Sequence, residues 1–110
     1  MLPPALVRLC ATGMVAAAFA APAQASDIQA GKMTAASCAM CHGVNGLSQM
    51  PGAPNLAGQS AMYTSEQLKN FRSGKRQNEI MNVIAKPLTD TDIGNLAAWY
   101  ESIKVEVIAR

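Results

Sequence analysis

The stretch Cys38-Ala39-Met40-Cys41-His42 decides how the rest of the chain is read. Two cysteines three residues apart with a histidine directly behind them make a C-x-x-C-H motif, the attachment pattern of a c-type haem. The spacing has a mechanical basis. Two thiols at that separation can each add to one of the two vinyl groups on a single porphyrin edge, and His42 is then carried beneath the iron as its proximal ligand. Competing chemistries are poorly served by the same residues. A thiol-redox C-x-x-C needs a preceding strand and a βαβ setting, and no such pattern surrounds Cys38 and Cys41. Structural zinc wants four ligands, and no second Cys or His pair follows position 25. A plain Cys38–Cys41 disulfide leaves the adjacent His42 without a role.

Upstream of the motif, Met1 to Ala25 reads as a secretory signal and not as part of the fold. Arg8 gives a weakly positive start, Leu9 to Ala21 is an apolar run of 13 residues, and Pro22 breaks it ahead of Ala23-Gln24-Ala25, an A-x-A cleavage pattern. The run is short of the roughly 18 to 20 residues that span a bilayer, so no permanent membrane span is expected. Cys10 leaves with the signal. Export agrees with the motif, because haem attachment takes place outside the cytoplasm.

Composition sets the remaining bounds. The 110 residues are 50% apolar and 15% charged, which suits one small globular domain, here residues 26–110. A net charge of +2 and 5% aromatic residues exclude a nucleic-acid partner. After removal of the signal, 85 residues remain, with eight basic and seven acidic side chains and only Tyr63, Phe71, Trp99 and Tyr100 as aromatics. A chain of that size barely fills one hydrophobic core. Two cysteines cannot build a multi-disulfide framework, so a cofactor is expected to complete the core.

The pattern of apolar residues is helical throughout, with no alternation or Asn-Gly signal for a sheet, and an all-α fold follows. Asp27 is placed to cap a first helix running to about Ala36. Gly43 to Gly58 carries Gly43, Gly46, Pro51, Gly52, Pro54 and Gly58 and is a surface loop. Thr64 with Gln67 has the form of a capping box opening a helix that stops near Gly74. A short helix covers Glu79 to Ala85 before Pro87. Thr89 with Asp92 caps the last helix, on which Ile93, Leu96, Ala97 and Tyr100 recur at i, i+3, i+4 and i+7.

With a single His in the chain, a second axial ligand falls to methionine. Met33 and Met40 lie in or beside the tethered helix, which leaves Met50, Met62 and Met81. Spacing does not choose among them, and each could equally be a flexible core filler.

At this point the chain resembles the bacterial class I c-type cytochromes, across Asp27 to Ile103. The matching pieces are Cys38-Ala39-Met40-Cys41-His42-Gly43, Ala53-Pro54-Asn55-Leu56-Ala57-Gly58-Gln59, Met81 with Pro87-Leu88-Thr89-Asp90 behind it, and Leu96-Ala97-Ala98-Trp99-Tyr100. The resemblance implies a cytochrome c fold of three to five short helices around one covalently attached haem c. It makes Met81 the sixth ligand, so that His42 and Met81 hold the iron. It gives the Pro54 carbonyl a hydrogen bond from His42, lays Leu56 against the porphyrin, and makes Gly31 the small residue where first and last helices cross beside Trp99. The function it implies is single-electron transfer in the periplasm, by a protein that is not an enzyme and works with redox partner proteins. The alternative is a subunit that relays electrons for a dehydrogenase or oxidase complex. Lys69, Arg72, Lys75, Arg76 and Lys86 form the densest basic stretch, and Lys69, Arg72 and Arg76 would share one face of a continuous helix. That face is either simply solvated or a steering patch for an acidic partner.

Overall fold

A computed structural model describes residues 13–21 and 25–110; the expectations for Cys10 and for the Pro22 to Gln24 part of the cleavage pattern fall outside these residues. Among the described residues, five helices and one 3₁₀ turn make up the regular structure: α1 (Ile28–Thr34), the turn Ala35–Ser37, α2 (Ala39–His42), α3 (Ala61–Ser73), α4 (Glu79–Ala85) and α5 (Asp90–Ser102). Among the described residues there is no strand, and no helix is long and apolar enough to cross a membrane. Residues 13–21 are exposed throughout and take no part in the core.

The starts of α1, α3, α4 and α5 are each held by a side chain that satisfies free N–H groups of the first turn, whereas α2 has no side-chain cap. The Asp27 carboxylate accepts from the Ala30 N–H at 3.0 Å. Asn78 accepts from both Ile80 and Met81 N–H groups at the start of α4. Thr89 and Asp92 form the reciprocal box at α5: the Thr89 hydroxyl accepts from the Asp92 N–H at 3.1 Å, and the Asp92 carboxylate accepts from the Thr89 N–H at 2.9 Å. The expectation for α3 is corrected. This helix opens at Ala61 with Ser60 as its cap, not at Thr64 with Gln67. Glu101 of α5 decides the point: its carboxylate accepts from the Ala61 N–H at 2.6 Å, placing negative charge at the helix start. Thr64 is therefore inside the helix, buried, with its hydroxyl unpartnered. α3 stops at Gly74, whose φ of 81° and N–H to the Phe71 carbonyl form a left-handed cap.

The core lies where α1 and α5 cross. Ile93, Leu96, Ala97 and Tyr100 are all buried on one face of α5, and Leu96 and Tyr100 form a cluster with Ala35. Cys38, Leu56, Leu68, Leu88, Trp99 and Ile103 pack onto that cluster. Gly31 permits the crossing: a Cβ there would stand 2.0 Å from the Asn95 carbonyl oxygen and 3.0 Å from the Trp99 Cβ. Asn95 also accepts from the Asp27 N–H at 2.7 Å, tying the first turn of α1 to α5. The Lys32 ammonium sits 5.4 Å over the Trp99 ring, closing the outer side of the contact.

Two outcomes follow from this packing. Gly31→Ala should force the helices apart and lower unfolding stability by about 3 kcal/mol, read from the guanidinium midpoint. The second concerns acid. Hydrogen bonds from the Thr89 backbone and hydroxyl hold the Asp92 carboxyl below its ordinary value of 3.8. A carboxyl depressed in the folded state adds stability above that ordinary value and loses it as pH falls beneath it. Asp92→Asn should therefore flatten the acid limb of a plot of unfolding midpoint against pH, and an unchanged limb would exclude the box as a contributor.

Candidate haem site

The five residues of the motif occupy a single helical turn. Cys38 caps α2, and its carbonyl accepts from the Cys41 N–H at 3.2 Å and from the His42 N–H at 2.9 Å, which sets Cys38, Cys41 and His42 on one face at i, i+3 and i+4. Both thiols are free and half-buried. His42 is buried, and its Nδ1 lies 2.8 Å from the Pro54 carbonyl oxygen. A carbonyl only accepts, so Nδ1 carries the proton and Nε2 keeps its lone pair for a metal.

A folded loop brings Pro54 to this position. The Gly46 carbonyl accepts from the Leu56 and Ala57 N–H groups at 2.7 and 3.0 Å, doubling the chain back. Gly46 has a φ of 72° and is buried; a Cβ there would meet the Ala57 nitrogen at 2.7 Å and the Tyr100 ring at 3.1 Å. Ser48 fastens the loop to α2: its hydroxyl donates to the Cys41 carbonyl at 2.9 Å, while its N–H donates to the Asn55 side chain at 2.7 Å. Gly58 closes the far end through its N–H to the Tyr100 carbonyl. Sequence reasoning found Pro54 but missed Ser48 and Asn55, whose partners lie across a loop and leave no periodic signal.

Met81 occupies the first turn of α4 and is half-buried, whereas Met33, Met40, Met50 and Met62 are exposed. Leu56 is half-buried against the Ala35–Leu96–Tyr100 cluster. Apolar side chains on α4 beside Met81 are left open: Ile80 is 62% and Val83 70% exposed, and Ile84 is exposed too, as are Met62 and Tyr63 at the start of α3. The Tyr100 phenol is buried, has no hydrogen-bond partner, and neighbours Cys38; burial first and that thiol second hold its ionisation above the usual range. A buried donor without an acceptor costs about 1–3 kcal/mol. An apolar macrocycle tethered at Cys38 and Cys41 would supply the missing apolar cover, and the free thiols and oriented imidazole are the donors it requires. The residues fit a covalently held haem.

The basic face on α3 is corrected. α3 ends at Ser73, so Arg76 lies beyond it, and Arg72 is engaged inside the molecule. Its guanidinium donates to the Leu88 carbonyl at 2.9 Å and pairs with Asp90 at 2.6 Å, which holds the Asp90 carboxyl below its usual value. Arg76 donates to Gln67 and lies 4.6 Å over the Phe71 ring. Lys69, Lys75, Arg76 and Lys86 remain as exposed cations.

Known proteins agree with this geometry. The model of the family described as Cytochrome c matches residues 28–104. Cytochrome c-554(548) of Halomonas halodenitrificans is 40% identical over 81 residues, covering 71% of this chain and 98% of that protein. A thiosulfate dehydrogenase electron acceptor of Thiomonas intermedia is 38% identical over 99 residues, 88% of this chain and 44% of its own length. The crystal structure of reduced recombinant cytochrome c4 from Pseudomonas stutzeri superposes with a TM-score of 0.69 at 36% identity, over 76% of this chain and 48% of that one. The chain thus spans nearly all of the first relative and less than half of the other two. With the helical fold, the Cys38–His42 turn and these matches together, the chain belongs to the cytochrome c family, whose cofactor is covalently bound haem c.

Proposed function

We propose that residues 26–110 form a periplasmic single-electron carrier holding one haem c, exported by residues 1–25. The observation that carries this reading is the 2.8 Å contact between His42 Nδ1 and the Pro54 carbonyl, which fixes the tautomer and aims Nε2 away from the loop. Cys38 and Cys41 hold the porphyrin through thioethers, His42 is the proximal ligand, and Met81 is the sixth. Leu56 lines the ring from the loop side. A single C-x-x-C-H motif and a single His limit the chain to one haem. Held by His42 and Met81, the group would supply one-electron exchange between ferrous and ferric forms, and a soft Met81 sulfur would favour the ferrous form relative to a second His. The chain's part is to orient the imidazole, keep Met81 in place and exclude water with the apolar faces of α3 and α4. An alternative, a subunit relaying electrons for a dehydrogenase, is favoured by the likeness to the thiosulfate dehydrogenase electron acceptor.

Attachment and ligation are tested separately. Haem should stay on the polypeptide through acid extraction and denaturation, and Cys38→Ala or Cys41→Ala should weaken or abolish its retention; haem stripped from the unchanged protein would overturn the proposal. Met81→Ala should lose the ferric Met-to-iron charge-transfer band and lower the potential, while Met50→Ala and Met62→Ala should keep the spectrum nearly unchanged. Loss of the band in the Met50 variant with retention in the Met81 variant would move the ligand to Met50. Copurification from the host distinguishes carrier from subunit by the presence of a stable stoichiometric complex.

A further inference from the structure

Met81 sits in a helix of seven residues, far too short to hold itself in water, where isolated helices need about 12 to 15 residues. Its position must be imposed from outside. The turn from Gly74 to Asn78 joins it to α3, and one side chain, that of Asn82, spans this whole junction. The Asn82 amide donates to the Phe71 carbonyl at 2.7 Å and to the Arg76 carbonyl at 2.8 Å, using both of its protons. Its oxygen accepts from the Asn78 N–H at 2.7 Å. Asn78 in turn accepts through its side chain from the Ile80 and Met81 N–H groups, at 3.1 and 2.9 Å. The residue before Met81's turn and the residue after Met81 are therefore locked to each other, and both are locked to the C-terminal end of α3. That end is itself fixed, because Arg72 donates to the Leu88 carbonyl on the far side of α4.

No other residue type fits position 82 so well. Two donors and one acceptor on a short planar group meet two carbonyls and one N–H. Aspartate would oppose oxygen to both carbonyls, and leucine would leave them unmatched.

We propose that Asn82 is a positioning residue for the sixth ligand: its amide clamp, completed by Asn78, holds the Met81 segment against α3 and so sets how rarely the sulfur leaves the iron. The inference rests on the reading of Met81 as that ligand. A Met–iron bond is opened by displacing the segment that carries the Met, and the apparent affinity for an external ligand scales with the open fraction. Loss of the clamp raises that fraction without altering the sulfur, the imidazole or the porphyrin.

The test uses ferric holoprotein titrated with imidazole, followed through the Met-to-iron charge-transfer band. Asn82→Leu should bind imidazole about tenfold more tightly or better than the unchanged protein, the effect expected from losing hydrogen bonds of ordinary strength. Asn95→Ala serves as the control, since it removes the bond to the Asp27 N–H and loosens the α1–α5 contact, remote from α4. It should lower the guanidinium midpoint and leave imidazole affinity unchanged. Equal affinity in Asn82→Leu and the unchanged protein would overturn the proposal, as would an equal rise in the Asn95 variant, which would mark general loosening. Should Asn82→Leu yield no holoprotein, Asn78→Ala carries the test: it spares both Asn82 donors and removes the acceptor of the Met81 N–H. About a threefold rise is expected there, and none would overturn the proposal. Met81→Ala separates the two claims, because a charge-transfer band that survives it refutes the ligand assignment whatever position 82 does.

Discussion

The α1–α5 crossing is the constraint from which the other placements follow. With no Cβ on Gly31, the two backbones approach until the Asn95 carbonyl fills the space a side chain would take. That fixes the buried face of α5, and α5 then serves as the template for the rest. Tyr100 offers its ring to Gly46, its carbonyl to Gly58 and its phenol to the neighbourhood of Cys38. Glu101 supplies the negative charge that starts α3. The turn bearing Cys38, Cys41 and His42 continues from α1 through Ala35, a member of the same buried cluster. The Gly31 crossing thus sets where Tyr100 stands, and with it where its carbonyl meets the Gly58 end of the loop.

The protein core built on this crossing is small, and its composition explains why a cofactor is structural here as well as chemical. Among the described residues its buried apolar members are Ala35, Ala85, Ile93, Leu96, Ala97 and Tyr100, of which three are alanines. Larger apolar side chains exist, but Ile80, Val83, Ile84 and Met62 are spread over α3 and α4 with solvent on them. Burying one such side chain is worth about 1.5–3 kcal/mol. The ring therefore offers this chain a second layer of core, and thioether bonds keep it there regardless of the affinity of the pocket.

Legibility in the sequence followed the range of each interaction. The Cys38–His42 turn, the Thr89–Asp92 box, the stop at Gly74 and the bounds of α4 all arise within four residues, and each was readable from residue type and spacing. The α5 stripe was readable because its four buried positions share a helical period. Thr64 with Gln67 misled because the same pattern occurs inside a helix; the true start depends on Glu101, 40 residues away. Arg72 carries a charge that local reading assigns to the surface, yet its fork reaches the Leu88 carbonyl and Asp90. Ser48, Asn55 and Asn82 are polar residues in segments that look like ordinary loop or helix, and only the folded chain shows which carbonyls they meet.

Pairing of Arg72 with Asp90 changes what electrostatics can do at the surface, whereas Arg76, bonded to the neutral Gln67, stays exposed and keeps its charge. Of the exposed lysines on this part of the chain, Lys69 lies close enough to Asp90 to help depress its carboxyl, which partly cancels both charges. Lys75 and Arg76 in the turn before α4 and Lys86 just after it then carry most of the positive field. They bracket the segment that holds Met81. Eight basic against seven acidic side chains after position 25 give almost no net field, and local charges are screened within about 8–10 Å. The positive field of this part of the surface is therefore confined to the immediate surroundings of α4, beside the exposed Ile80 and Val83. The same short helix is the one that Asn78 and Asn82 tie down, so these charges sit beside a segment of fixed shape.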